Sequence, residues 1–452
     1  MAVDNEVATS DGAELSTRRE RVGWYFYDWA NSAFPTTVLT VFLGPYLGAI
    51  ARNAADGQGR VHPFGIPVAA GSLYLYVLGV SVFLTAVVLP VVGAIADRSS
   101  RKKQLLALFA YIGAAATAGF VFLTGDRYEL GVVLLLVGNL AFSASVAVYN
   151  SFLPQLAGPD RRDAVSSTGW AIGYLGGGLL LALNLVAIAF KGALGMSEGD
   201  IARYSLLSAG VWWAAFTSLP LARLRNRPAT AGQARGSALL DGFRQLGHTI
   251  RELRAYPLTL LFLGAYLLYN DGIQTVIATA GVFARDELGL SQDVLVATIL
   301  LVQFVAFGGA LSFGWLAQRF GTVKTLIASL VGWTVVVGLA YLLPVGKATP
   351  FVALGVGIGI VQGGSQALSR SLFSQLIPPG KEAECFGLYE ISDKGSSALG
   401  PILAGLAFQL SGTYRMSIIW MVVFFVIGIV ALLAVPMRRA IVAAGNTPPQ
   451  RV

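Results

Sequence analysis

The sequence predicts an all-α membrane protein with twelve transmembrane helices in two pseudo-symmetric six-helix bundles. Three observations predict it. The chain is 55% hydrophobic and only 12% charged, where a water-soluble chain carries about 25% charged residues, so most of its surface must face lipid. Apolar stretches of about 20 residues, the length that crosses a hydrocarbon core, recur from end to end. They lack the alternating pattern of a membrane barrel, which leaves helices as the spanning element. Finally, lysine and arginine are rich and poor in alternate connections.

Basic residues bracket every stretch. Residues 22–50 lie between Arg21 and Arg52, 73–96 between Arg60 and Arg98, 105–124 between Lys103 and Arg127, and 130–153 between Arg127 and Arg161. Residues 166–190 follow Arg162 and stop before Lys191, and 205–221 sit between Arg203 and Arg223. The second six are 258–283, 294–316, 325–343, 351–373, 386–410 and 417–435, punctuated by Arg254, Arg285, Arg319, Lys324, Lys347, Lys381, Arg415 and Arg438. With both termini inside, the inner segments hold 22 lysines and arginines and the outer loops 8. That bias places both ends in the cytoplasm and supports an even count, because one missed helix would invert every later loop.

The expected organisation is a cytoplasmic tail (1–21), a first bundle (22–221), a cytoplasmic linker (222–256), a second bundle (257–436) and a second tail (437–452). Residues 1–21 are polar and hold five acids, so they read as a disordered tail rather than a signal peptide. The arginine-rich linker holds a candidate surface helix near 239–253. Cys385 is the one cysteine, and His62 and His248 fall in polar loops. No disulfide framework, metal site or cofactor is expected.

The two halves repeat. Gly93 to Lys103 matches Gly314 to Lys324 at an offset of 221, and Asn150 to Leu156 matches Arg370 to Leu376 at an offset of 220. A weaker match aligns Asp28, Asn31 and Ser32 with Asp271, Gln274 and Thr275. Parallel six-helix halves are a transporter plan with the solute site between them.

The stretch from Gly93 through Asp97, Arg98, Arg101, Lys102 and Lys103 resembles the inner-loop signature of the major facilitator superfamily. Tyr27 to Phe34, Trp212-Trp213, Tyr269 to Gly272, Gly363 to Ser371, Phe386 to Tyr389 and Lys394 narrow the match. Together they resemble the branch of the autophagy-related vacuolar effluxers and their bacterial relatives. The resemblance covers nearly the whole chain. It implies the twelve-helix fold and alternating access, and for the fungal members it suggests amino-acid export. Gln318 stands where the first half has Asp97, a departure from equal signatures.

Six charges fall inside the expected spans: Asp28, Asp271, Arg370, Glu390, Asp393 and Lys394. Each costs about 3 kcal/mol or more unless paired or facing water, so each is a functional candidate. Lys394 lies about 15 Å into its helix at 1.5 Å per residue. Glu390 is on the same face four residues earlier and Asp393 is adjacent, so the group is either a self-neutralising pair or a solute or proton site. Asp271 lies near mid-depth with Gln274 and is expected to line the cavity. Asp28, with Asn31 on the next turn, either faces the cavity or pairs with a basic residue. Arg370 either snorkels to the interface or reaches Glu390 or Asp28 as an inner gate. Asp97, Arg98 and Arg101 are expected to form a conformational latch, with Asp97 meeting the positive end of the eleventh helix. Small-residue stripes at Gly169, Gly173 and Gly177, and at Gly355, Gly359 and Gly363, are expected to pack helices closely.

These features point to a secondary active carrier of a small solute, an amino acid in the first instance, with possible coupling to protons. A sugar or other small-metabolite cation symporter of the same fold is the alternative, and a non-transporting receptor or scaffold a distant one. No phosphate loop suggests direct ATP drive, and no nucleophile or metal constellation suggests an enzyme. The expected partners are the solute, the lipid bilayer and protons. Nucleic acid is not among them, and the chain is expected to act as a monomer.

Overall fold

The computed structural model describes residues 16–228, 251, 254–395, 399–411 and 413–452. Among them, eleven helices are long and apolar enough to cross a membrane.

The first span starts earlier than its apolar run. Helix α1 (Arg18–Asn31) opens on a capping box in which Thr17 and Glu20 satisfy each other's backbone N–H groups. The disordered tail expected through Arg21 is therefore corrected: Ser16 already bonds the Leu156 carbonyl, and Glu20 is buried and paired with Arg227 at 3.3 Å. The span continues through a π-helical stretch, Phe34–Phe42, into α2 (Leu43–Asn53). Pro35 lies at the start of that stretch, where a missing N–H loosens the α-helical ladder. A short hairpin, β1 (Arg60–Val61) with β2 (Val68–Ala69), follows on the side away from the termini. The first half is completed by α3 (Leu73–Arg98), α4 (Lys102–Gly119), α5 (Tyr128–Asn150), the single-turn α6 (Leu153–Leu156), α7 (Arg162–Ala189) and α8 (Glu198–Arg223).

The second half contains α9 (Pro257–Val282), α10 (Gln292–Phe320), α11 (Thr322–Tyr341) and α12 (Ala348–Gln375). Of the expected span 386–410, the structure describes α13 (Glu382–Gly395) and α14 (Leu399–Ser411), with residues 396–398 between them outside the described residues, so this span is not among the eleven long helices. Then come α15 (Tyr414–Ile419), α16 (Met421–Leu433) and α17 (Met437–Ala443). The linker helix expected near 239–253 lies outside the described residues.

Each half has its own apolar core. The first is built around Trp24, Phe34, Phe120, Tyr149 and Trp213. The second is built around Phe262, Tyr266, Trp333, Phe373 and Phe425. The small-residue stripes place backbones in contact. A Cβ on Gly173 would lie 2.9 Å from Ser32 Oγ, and one on Gly177 would lie 2.8 Å from Thr36 Oγ1, so α7 packs directly on the first span. Gly359 and Gly363 do the same for α12 against α10, where a Cβ would meet the Val302 and Ala306 carbonyls at 3.0 and 2.4 Å. Between the halves, α7 packs on α10 and α12, while α3 and α5 pack on α13.

Candidate functional site

A cavity of about 410 Å³ lies between the halves. Its lining comes from the later part of the first span (Ser32, Thr36, Leu39), the middle of α7 (Trp170, Tyr174), the second half of α9 (Gln274, Ile277) and the first part of α10 (Thr298, Gln303). Helix α12 adds Gln362 and Gln366, and α13 adds Asp393. The cavity thus runs from mid-molecule toward the side away from the termini. Its wall is mostly apolar there apart from Thr40 and Thr298, and Gln274, Gln362, Gln366 and Asp393 lie deeper. Gln303 reaches across the halves to Thr36 at 2.8 Å.

Below the cavity, on the terminal side, a polar layer joins the two halves. The Arg370 guanidinium donates to Asp28 at 3.1 Å, to the Ser166 hydroxyl at 2.9 Å, to the Ser166 carbonyl at 2.8 Å and to Asn150 Oδ1 at 3.4 Å. Tyr149 donates to the same Asp28 carboxylate at 2.7 Å. Asn150 then donates to Glu390 at 3.1 Å. The rings of Trp24, Trp170 and Tyr149 surround the guanidinium, with centroids 4.8, 5.2 and 5.7 Å from its carbon. Arg370 is only 2% exposed, so of its two expected positions the interface is excluded. Its Nε, both Nη1 donors and one Nη2 donor find partners within the protein. Gly169 makes this possible: a Cβ there would lie 2.7 Å from Asp28 Oδ2 and 3.0 Å from Arg370 Nη2.

The other candidates divide. Gln274 and Asp393 line the cavity, and Asp393 accepts from Tyr266 and Asn270, each at 2.9 Å. Asp28, Asn31 and Glu390 are buried outside the lining. Asp271, expected to line it, is instead fully buried. Its carboxylate faces the start of α14, where the missing side chain of Gly400 leaves room: a Cβ there would come within 3.0 Å of Asp271 Oδ1. Neither carboxylate oxygen makes a well-formed hydrogen bond among the described residues. Asp28 and Asp271, aligned by sequence, therefore occupy unlike surroundings. The side chain of Lys394, and with it the expected pairing to Glu390, lies outside the described residues.

Asp97 meets the start of α13, the contact that the latch expectation calls for. Asp97 ends α3, is buried, and accepts from the backbone N–H groups of Ala383 and Glu384, each at 2.9 Å, in the first turn of α13. Lys102 donates to it at 2.9 Å and stands 3.7 Å from Glu382. Gly93 lets the helices meet: a Cβ there would be 2.5 Å from Glu384 Cα. Arg101, expected within this latch, is exposed at the loop. Arg98 is half-buried at the end of α3.

A second latch escaped the sequence reading. Asp163, in the first turn of α7, accepts from Ser371 of α12 at 2.5 Å and from Thr322 of α11 at 2.6 Å. Its neighbour Arg162 donates to the Ser374 carbonyl at 2.8 Å, and Ser166 to the Ala367 carbonyl at 2.7 Å. The repeat held the signal. At an offset of 220, Asp163 is the counterpart of Ala383, and at 221 Gln318 is the counterpart of Asp97. In the second copy the acid has moved to the other partner of the contact. The polar layer and the Asp97 and Asp163 contacts join the two halves on the terminal side.

The family described as "Vacuole effluxer Atg22 like" matches residues 16–445. An "Uncharacterized MFS-type transporter YxiO" of Bacillus subtilis is 30% identical, with 93% of this chain and 95% of that protein covered. "Autophagy-related protein 22-1" of Aspergillus niger is 25% identical, with 95% and 90% covered. Among solved structures, the human organic anion transporter MFSD10 is similar at a TM-score of 0.65 and 15% identity, covering 92% of this chain and 99% of its own. The major facilitator transporter FucP in its outward conformation is similar at 0.62 and 12%, covering 92% and 97%. These two show the fold, and the resemblance drawn from the motifs is borne out. The chain belongs to the Atg22-like vacuole effluxer family and is a multi-pass membrane transporter of the major facilitator type.

Proposed function

We propose that the protein moves an amino acid across the cytoplasmic membrane by alternating access, with transport coupled to protons, as a monomer whose two ends are cytoplasmic. The observation that carries the reading is the cavity between the halves, with the Asp28–Arg370 pair beneath it on the terminal side. Its volume, about 410 Å³, suits a solute of amino-acid size. Asp393 offers a carboxylate for an ammonium group, and Gln274, Gln362 and Gln366 offer amides. Lys394, one residue on, is the group assigned to a solute carboxylate. Asp28, Asn31, Asp271 and Glu390 are then proton-coupling or supporting groups rather than first contacts.

The proposed cycle turns on that pair. Arg370 holds the halves together most strongly while Asp28 is charged, its other bonds to the first half being to neutral Ser166 and Asn150. A proton on Asp28 removes that charge, the pair loses its main attraction, and the terminal side separates. Asp97 with α13, and Asp163 with Ser371 and Thr322, release in the same movement. The bias of basic residues supports a cytoplasmic position for this side. The family's description as a vacuole effluxer favours export.

Counterflow of neutral amino acids in proteoliposomes tests the substrate reading. Asp393→Asn and Lys394→Ala are expected to lower it at least tenfold, and full rates in both would end the amino-acid assignment. Collapse of the pH gradient is expected to abolish accumulation, whereas unchanged accumulation would remove protons from the cycle.

A further inference from the structure

Beyond the latches, the last residues of the chain cross the terminal face and touch both halves. After α17 the backbone turns at Gly445, where φ is +83°. Asn446 Nδ2 then donates to the carbonyls of Gln375 and Ile377, at 2.9 and 2.7 Å, just where α12 ends. Pro448 and Pro449 follow, and Pro449 is buried. Two consecutive prolines fix φ and hold the segment extended. They also have no N–H, so the next backbone donor is that of Gln450. It donates to Asp160 Oδ1 at 2.7 Å. Asp160 belongs to the first half, on the turn Pro159–Arg161 that leads into α7. Arg438 of α17 donates to the Gln450 carbonyl at 2.7 Å and fixes the bend. Beyond it, Arg451 donates to the Arg319 carbonyl, and the Val452 backbone lies on Gly321. Gly321 has φ +99°, and a Cβ there would stand 2.5 Å from the Val452 carbonyl oxygen. The segment thus begins and ends on the second half and is tied in its middle to the first.

We propose that residues 446–452 form a strap that holds the terminal side closed, a self-inhibitory tie that sets how readily that side opens. Opening must carry α7 and the turn before it away from α12. Asp160 rides on that turn, whereas Asn446 and Arg451 stay with the second half, so the Gln450–Asp160 bond has to break. It is an N–H to a carboxylate, stronger than a neutral bond. Asp160 is exposed, so water replaces the bond at modest cost, and the strap biases the equilibrium without blocking it. The strap acts whatever the solute is, and its test needs no substrate.

The test uses full-length protein in nanodiscs, with spin labels at Ser100→Cys and Lys324→Cys, exposed terminal-side positions in opposite halves, and Cys385→Ser to remove the native thiol. Electron–electron distances report the open and closed populations. Gln450→Pro deletes the donating N–H, Asp160→Ala deletes the acceptor, and removal of 446–452 deletes the strap. Each is expected to raise the open-to-closed ratio, the point variants by about three- to tenfold, a tenfold change being 1.4 kcal/mol. A disulfide formed by Asp160→Cys with Gln450→Cys is expected to suppress the long distance until it is reduced. If the shortened chain fails to fold, the two point variants decide. Unchanged distance distributions in both Gln450→Pro and Asp160→Ala would overturn the proposal, as would a disulfide that leaves the open population intact.

Discussion

Arg370 shows what a single buried charge demands of its surroundings. A guanidinium at 2% exposure is tolerated because its donors meet Asp28, Asn150 and Ser166, and because three aromatic faces take the place of water. Removing one member strands the other. Arg370→Ala is expected to cost about 3–5 kcal/mol, because Asp28 then keeps a buried, uncompensated charge. Thermal unfolding in detergent checks this, and the double variant Asp28→Asn with Arg370→Gln is expected to recover much of the loss. A single Arg370→Ala variant that melts with the parent would show that the pair holds nothing. The sequence marked both residues as costly, since each interrupts an apolar span. It left their partners open, because partner choice depends on how the helices rotate against one another. Gly169 is the residue that decides it, and in sequence it reads only as one member of a small-residue stripe.

Helix ends are the working parts of the terminal side. Asp97 accepts from the first turn of α13, and Gly93 sets how closely that helix can come. Cys385 lies in the same turn, 1% exposed, so it reports the contact. Asp97→Asn and Gly93→Leu are both expected to raise its alkylation rate by roughly tenfold, since overpacking and a lost charge each cost about 1–3 kcal/mol. Alkylation as slow as in the parent would mean the latch carries no load. The hairpin on the opposite side makes a different prediction. Asp56 accepts from the backbone N–H of Arg60, the His62 ring and the backbone N–H of Gln58, and these hold its carboxyl down to about 2. A depressed carboxyl stabilises its charged form, so the loop's contacts are intact above about pH 4 and are lost as pH falls through 2. The Arg60 amide resonance should titrate with a midpoint near 2, and one at the ordinary carboxylate value would contradict the assignment. The first latch was legible because Asp97 sits in a recurring motif that ends a helix. The second was not, because Asp163 pairs with hydroxyls 159 and 208 residues away in sequence, and nothing in the local pattern of α7 announces them.

At the scale of the whole molecule, apolar run length and the bias of basic residues were enough to lay out the helices in order. They could not show that a helix begins at Arg18 beneath its polar residues. The cavity was least legible of all. Asp271 and Asp28 share a pattern but not a neighbourhood, while Trp170 and Tyr174, which line the cavity, carry no charge to single them out. One prediction belongs here. A disulfide between Ser371→Cys and Asp163→Cys, joining α12 to α7, is expected to abolish counterflow while sparing solute binding from the side away from the termini, and reduction should restore transport. Counterflow that persists under oxidising conditions would mean the halves need not separate there. The contact between Asn150 and Arg370 has a further consequence. These two are the same position of the repeat, 220 residues apart, and they touch each other at 3.4 Å. The local two-fold axis therefore passes between them. In a dimer of identical halves that position would face its own copy: two arginines would repel, and two asparagines would leave Asp28 without a counter-charge. A single cation on the axis is a broken symmetry that only a fused chain can encode, because fusion lets the two copies mutate apart.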